Sequence, residues 1–145
     1  MASAYENRVP AWFWIVAGLA LLWEAMGCYT YVGEVTMTAE QLAALPADQR
    51  ELMANTPGWT MGVFAVAVWS GLLGAIALLL RRTWARPLFV ISLIAALIQF
   101  GWWLLIARAA EKLGPSAYGV PAVIIIIAAL LVWFSAMAAK RGWLR

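Results

Sequence analysis

The chain has 145 residues, 66% of them apolar and only 12% charged; a soluble domain carries about 25% charge, so a soluble fold is excluded. One cysteine and no histidine rule out an internal disulfide, a thiolate zinc site, His-ligated haem and the commonest catalytic base. The net charge of +3 comes from bases at the ends of apolar runs rather than from one patch, so nucleic acid is not an expected partner.

Four apolar stretches are long enough to cross about 30 Å of hydrocarbon: residues 11–32, 61–80, 87–107 and 121–139. They leave no room for a second domain, so residues 1–145 read as one membrane domain. The expected fold is all-α, an antiparallel four-helix transmembrane bundle with a short helical extracytoplasmic loop. Met1–Pro10 is polar, with Arg8 just ahead of the first span. Ala25-Met26-Gly27-Cys28 faintly resembles a lipoprotein cleavage box, but Ala25 stands where leucine is usual and Glu24 interrupts the run. With three more spans following, the segment is expected to be a retained helix.

Within it Ala17, Ala20, Glu24, Gly27 and Tyr31 recur at three- and four-residue spacing and share a face. Trp12, Phe13 and Trp14 suit one headgroup region, and Tyr29 and Tyr31 the other. In the 33–60 loop, Thr38-Ala39-Glu40-Gln41 fits a capping box, and Pro46 suits the first turn of a second short helix. Leu42, Leu45, Leu52 and Met53 give that piece an apolar side, expected to serve as a connector resting on the headgroups rather than as a lid.

The second span carries Ala67, Ser70, Gly71, Gly74 and Ala75, small residues that let a neighbouring helix approach closely. Gly27, Ala67, Gly71 and Gly74 are therefore expected at helix contacts. Residues 81–86 turn directly into Pro87, which allows only an antiparallel hairpin. The third span presents Ser92, Ala95, Gln99 and Trp103 on one side, and the fourth, with only Ser135 and Trp133 as polar side chains, is expected to face lipid most. Arg8, Arg81, Arg82, Arg86, Lys140, Arg141 and Arg145 fall on one side of the membrane and Arg50, Arg108 and Lys112 on the other. Loops rich in Lys and Arg stay cytoplasmic, so both termini are expected inside.

Glu24 is the one acid in the interior of a span. At that depth a carboxyl costs at least about 2.5 kcal/mol and turns toward a partner or a water-filled cavity. Heights along the helices place Gln99, Ser70 and Trp69 in the same layer, where amide, hydroxyl and indole could serve it. With no intramembrane Lys or Arg at this depth, the acid is expected to be carried protonated.

Leu21-Leu22-Trp23, Gly27, Tyr31, Thr38 with Glu40-Gln41-Leu42, Pro57 with Trp59, and Trp69-Ser70-Gly71-Leu72-Leu73-Gly74 running on to Leu78-Leu79-Leu80-Arg81-Arg82-Thr83-Trp84-Ala85 resemble a group of short four-span bacterial inner-membrane proteins, sometimes labelled sugar transporters. The resemblance covers roughly the first two-thirds of the chain and implies an architecture and a bacterial inner membrane, but no activity. In that group an amide is usual where Glu24 stands and an acid is usual near Thr30.

Two functional classes follow. One is a non-catalytic accessory or interaction subunit, docking on another membrane protein or on a second copy. The other is a proton-coupled small-solute secondary transporter using Glu24, as a dimer because four helices enclose little space. The first is the expectation, since transporters usually show internal repeats or broken helices and neither is visible. No nucleophile–base arrangement points to an enzyme, and no cofactor or metal is expected.

Overall fold

The computed structural model describes residues 8–145; the polar segment before Arg8 lies outside them. The described chain is all-α: seven α-helices and no strand. The four spanning helices are α1 (Ala11–Val35), α4 (Gly58–Leu79), α5 (Ala85–Gly101) and α7 (Gly119–Lys140). Each of these segments, counting the turns that extend α5 to Ile106 and begin α7 at Pro115, is long and apolar enough to cross a membrane. Short helices α2 (Ala39–Ala43) and α3 (Ala47–Asn55) fill the first loop, and α6 (Ala109–Leu113) lies between α5 and α7.

Helix ends differ from the expected ones where local chemistry carries a helix further. α1 continues to Val35, because nothing in Gly33-Glu34-Val35 breaks it. Pro87 sits inside the first turn of α5, where a missing N–H costs no hydrogen bond. Pro46, expected in the first turn of α3, is its N-cap, one residue ahead of that turn. The capping box of α2 is formed: Gln41 N–H donates to Thr38 Oγ1 at 3.2 Å and Thr38 N–H to Gln41 Oε1 at 2.9 Å. Beyond Gly101 the third span goes on as a five-residue π turn, Trp102–Ile106. It ends at Arg108, in left-handed conformation with φ 53°.

Around the bundle the order of packing is α1, α4, α5, α7. α4 is the central element and the most buried span, because its small residues face two neighbours at once. A Cβ on Gly27 of α1 would meet Val68 of α4 at 3.4 Å, and one on Gly74 would meet the Phe89 ring of α5 at 3.0 Å. Ala67, Gly71 and Ala75 are buried on the same helix. α7 does not stand alone at the lipid: α5 is as little buried as α7, and Phe134, Ser135 and Ala138 of α7 are interior.

The circle does not close evenly. α1 and α7 share no extended packed face and are joined at the base-rich end by aromatic side chains. The Phe13 ring stacks on Phe134 at 5.7 Å, and Trp12 meets Phe134 edge-on at 5.9 Å. Phe13, expected at the headgroups, is fully buried. Trp143, beyond the end of α7, completes the group at 5.3 Å from Trp12 and 5.9 Å from Phe13. Its segment is held by the α4–α5 turn: Arg81 Nε donates to Trp143 O at 2.7 Å, Thr83 N–H to Arg145 O at 3.0 Å, and Arg145 N–H to Arg81 O at 2.6 Å. The main hydrophobic core, from Phe13, Ala17 and Ala20 to Leu78, Phe89 and Leu144, fills this half of the bundle.

At the opposite end α3 leans on α6, with Leu52 buried and Lys112 Nζ 2.8 Å from Glu51 Oε1. The loop is thus tied to the connection between α5 and α7.

Two glycines separate contact from mere presence. Gly74→Ala drives a methyl into the Phe89 ring and is expected to cost about 1–3 kcal/mol. Gly18→Ala meets nothing within 4 Å and is expected to be neutral or to gain up to about 1 kcal/mol of helix propensity. Thermal melts of both variants in mild detergent check the difference in sign.

Candidate functional site

The half of the bundle that the core does not fill holds a cavity of about 490 Å³ with walls from all four spans. That is within the roughly 300–1,000 Å³ of small-molecule sites, although the cavity is half open rather than enclosed. The gap exists because α1 and α7, pinned together at one end, separate toward the other. No residue of α2 or α3 lines it.

Glu24, Gly27, Thr30 and Glu34 of α1 form one wall. They recur at three- and four-residue steps, the spacing of one helix face. Glu24 is 8% exposed, whereas Thr30 and Glu34 lie open. The wall therefore descends from an accessible acid to a secluded one over about 15 Å at 1.5 Å per residue. Opposite stand Ser92 and Gln99 of α5, and the rest is apolar or aromatic, including Trp23, Phe64 and Phe100. Among the described residues no Lys or Arg lines the cavity.

The Glu24 side chain crosses to α4 and lies on Gly71. A Cβ added there would fall on Oε2 and sit 2.6 Å from Cδ and 3.0 Å from Oε1. Among the described residues no salt bridge involves this carboxyl. Neither of its oxygens is sealed away without a partner; the group keeps an edge on the cavity. One turn further along α1, Cys28 Sγ is spent on Val68 O at 3.4 Å.

The layer expected around Glu24 is only partly assembled. Gln99 shares the cavity with it. Ser70 does not serve it, since its hydroxyl donates to Val66 O of its own helix; a serine inside a helix finds that carbonyl without help from a neighbour. Trp69 is turned away from the cavity, 42% exposed, with its ring edge-on to Tyr31 at 6.3 Å. Of the small residues, Gly71 touches Glu24, Gly27 and Gly74 make the helix contacts described above, and Ala67 accepts at its carbonyl a 2.7 Å bond from Ser92 Oγ. Thr30 and Glu34 were missing from the expected set. A three-residue step from Gly27 reaches Thr30, and a four-residue step from there, past residue 32, reaches Glu34.

Four apolar helices packed around a secluded acid and a cavity define a multi-pass integral membrane protein. No protein family, curated protein or solved structure matches the chain, so the chemistry of the cavity is what speaks for its use.

The Ser92–Ala67 bond ties α5 to α4 beside the cavity. Ser92→Ala is expected to cost about 0.6–1.5 kcal/mol, the usual range for a hydrogen bond between membrane helices. Ser135→Ala, which removes a bond within one turn of α7, is expected to cost less than half of that. Paired melting curves in one detergent would show the ratio.

Proposed function

We propose that the protein is a small secondary carrier in which Glu24 exchanges a proton for a small, mostly apolar solute bearing a positive charge. The observation that supports this reading is the cavity itself, walled by all four spans with Glu24 on its inner edge. An accessory subunit, the class favoured by composition and repeats alone, works through its outer faces and has no use for an internal space beside an acid. The third span adds support. Its last turn, Trp102–Ile106, is a π turn, and π turns gather at functional sites.

The solute class follows from the lining. Two carboxyls and no base favour a cation, with the exposed Glu34 drawing it in and Glu24 receiving it. Trp23, Phe64 and Phe100 line the cavity, and aromatic rings suit an apolar cation. A single carboxyl holds either a proton or the cation's charge, so arrival of the cation at protonated Glu24 releases one proton and departure takes one up. We place the chain in a bacterial inner membrane with both termini cytoplasmic. That placement is supported by the Lys and Arg count and opens the cavity outward.

Tetraphenylphosphonium presented to proteoliposomes tests the carrier. Expected is saturable uptake with release of about one proton per cation, both abolished in Glu24→Gln while the protein stays folded. Equal uptake by the parent and Glu24→Gln would sink the proposal. For orientation, Ala44→Cys and Trp84→Cys in a Cys28→Ala background are to be labelled with a membrane-impermeant maleimide in intact cells. Position 44 is expected to react at once and position 84 only after permeabilisation; the reverse would invert the placement.

A further inference from the structure

We propose that Gly71 is a positioning residue for Glu24: the bare Cα of α4 is the seat on which the carboxyl rests beside the cavity. The inference rests on the carrier reading for its consequence and on packing alone for its geometry. Both oxygens and the carboxyl carbon lie within 3.0 Å of where a Cβ at position 71 would stand. The whole group is therefore laid against the glycine rather than touching it at one corner. No ion pair among the described residues steers the carboxyl, and the nearest hydroxyl on α4, Ser70, is spent on its own helix. With no directional partner, the shape of the α4 surface decides where the acid sits.

Gly71 differs in this from the other small residues of α4. The space at Gly74 is taken by a Phe89 ring, an ordinary helix contact. The space at Gly71 is taken by the one acid in a span interior, and any larger residue there has to push the carboxyl off the wall into the cavity. A displaced acid meets an incoming solute in the wrong place, and an error of about 1 Å in such a group can cost 10²-fold in rate. Gly71 thus sets how deep in the cavity the exchangeable charge lies.

A length-compensation experiment tests this. Gly71→Ala adds one carbon on α4, and Glu24→Asp removes one from the α1 side chain, about 1.5 Å. Gly71→Ala alone is expected to speed labelling of Glu24 by a water-soluble carbodiimide severalfold and to lower tetraphenylphosphonium exchange at least about tenfold. Glu24→Asp alone is expected to lower exchange as well. The double variant should bring exchange back to within about threefold of the parent and slow the labelling again, a coupling that independent sites do not show. Unchanged labelling in Gly71→Ala, or losses that simply multiply in the double variant, would overturn the proposal. If Gly71→Ala does not fold, recovery of a folded protein by adding Glu24→Asp supports the seat, and failure to recover overturns it. Labelling and melting need no transported solute. They judge the seat even if the parent protein exchanges nothing, an outcome that would count against the carrier reading alone.

Discussion

A carboxyl inside hydrocarbon has to be given a place, and in this bundle the place is the gap between α1 and α4 at Gly71. Much of the packing is consistent with that demand. α4 has to present a bare Cα to Glu24, which favours the small residues that also let α5 come close on its other side. The acid keeps an edge on the cavity, which requires α7 to stand off from α1 at that level. Its cost of at least about 2.5 kcal/mol is lowered by seclusion from lipid and by access to a cavity with room for water.

The molecule is consequently built as two unlike halves. At the base-rich end the interior is dense, with Phe13, Phe89 and Leu78 almost wholly buried and four aromatic side chains closing the last gap. At the other end the same helices separate around open space. The polar side chains follow the division: Glu24, Thr30, Glu34, Ser92 and Gln99 line the cavity among apolar and aromatic neighbours, and the dense core is built of alanines and large apolar side chains.

The four spans were legible because apolar length and flanking bases are properties of composition, which tertiary contacts cannot hide. The capping box at Thr38 was legible for a similar reason, since both partners lie within one turn. The cavity was not legible. It depends on α1 and α7 failing to pack along their length, a relation between helices far apart in sequence that neither helix's own pattern carries. Ser70 and Trp69 sit near the expected height but not at the expected azimuth, and height was all that residue counting could supply. The π turn at Trp102–Ile106 left no mark because Trp-Trp-Leu-Leu-Ile is as compatible with a regular helix as with a widened one.

The strap formed by residues 143–145 bears on how the chain is assembled. Its partners are Arg81 and Thr83 in the α4–α5 turn and Trp12 and Phe13 at the start of α1. The first two spans and the turn behind them are synthesised long before the residues that fasten them. Until Trp143 emerges, the base-rich end lacks this latch, and the aromatic contacts between α1 and α7 are those of Phe134 with Trp12 and Phe13. The native bundle is therefore locked by residues that follow its fourth span, and a ribosome that stalls directly after that span leaves four inserted helices without this fastening.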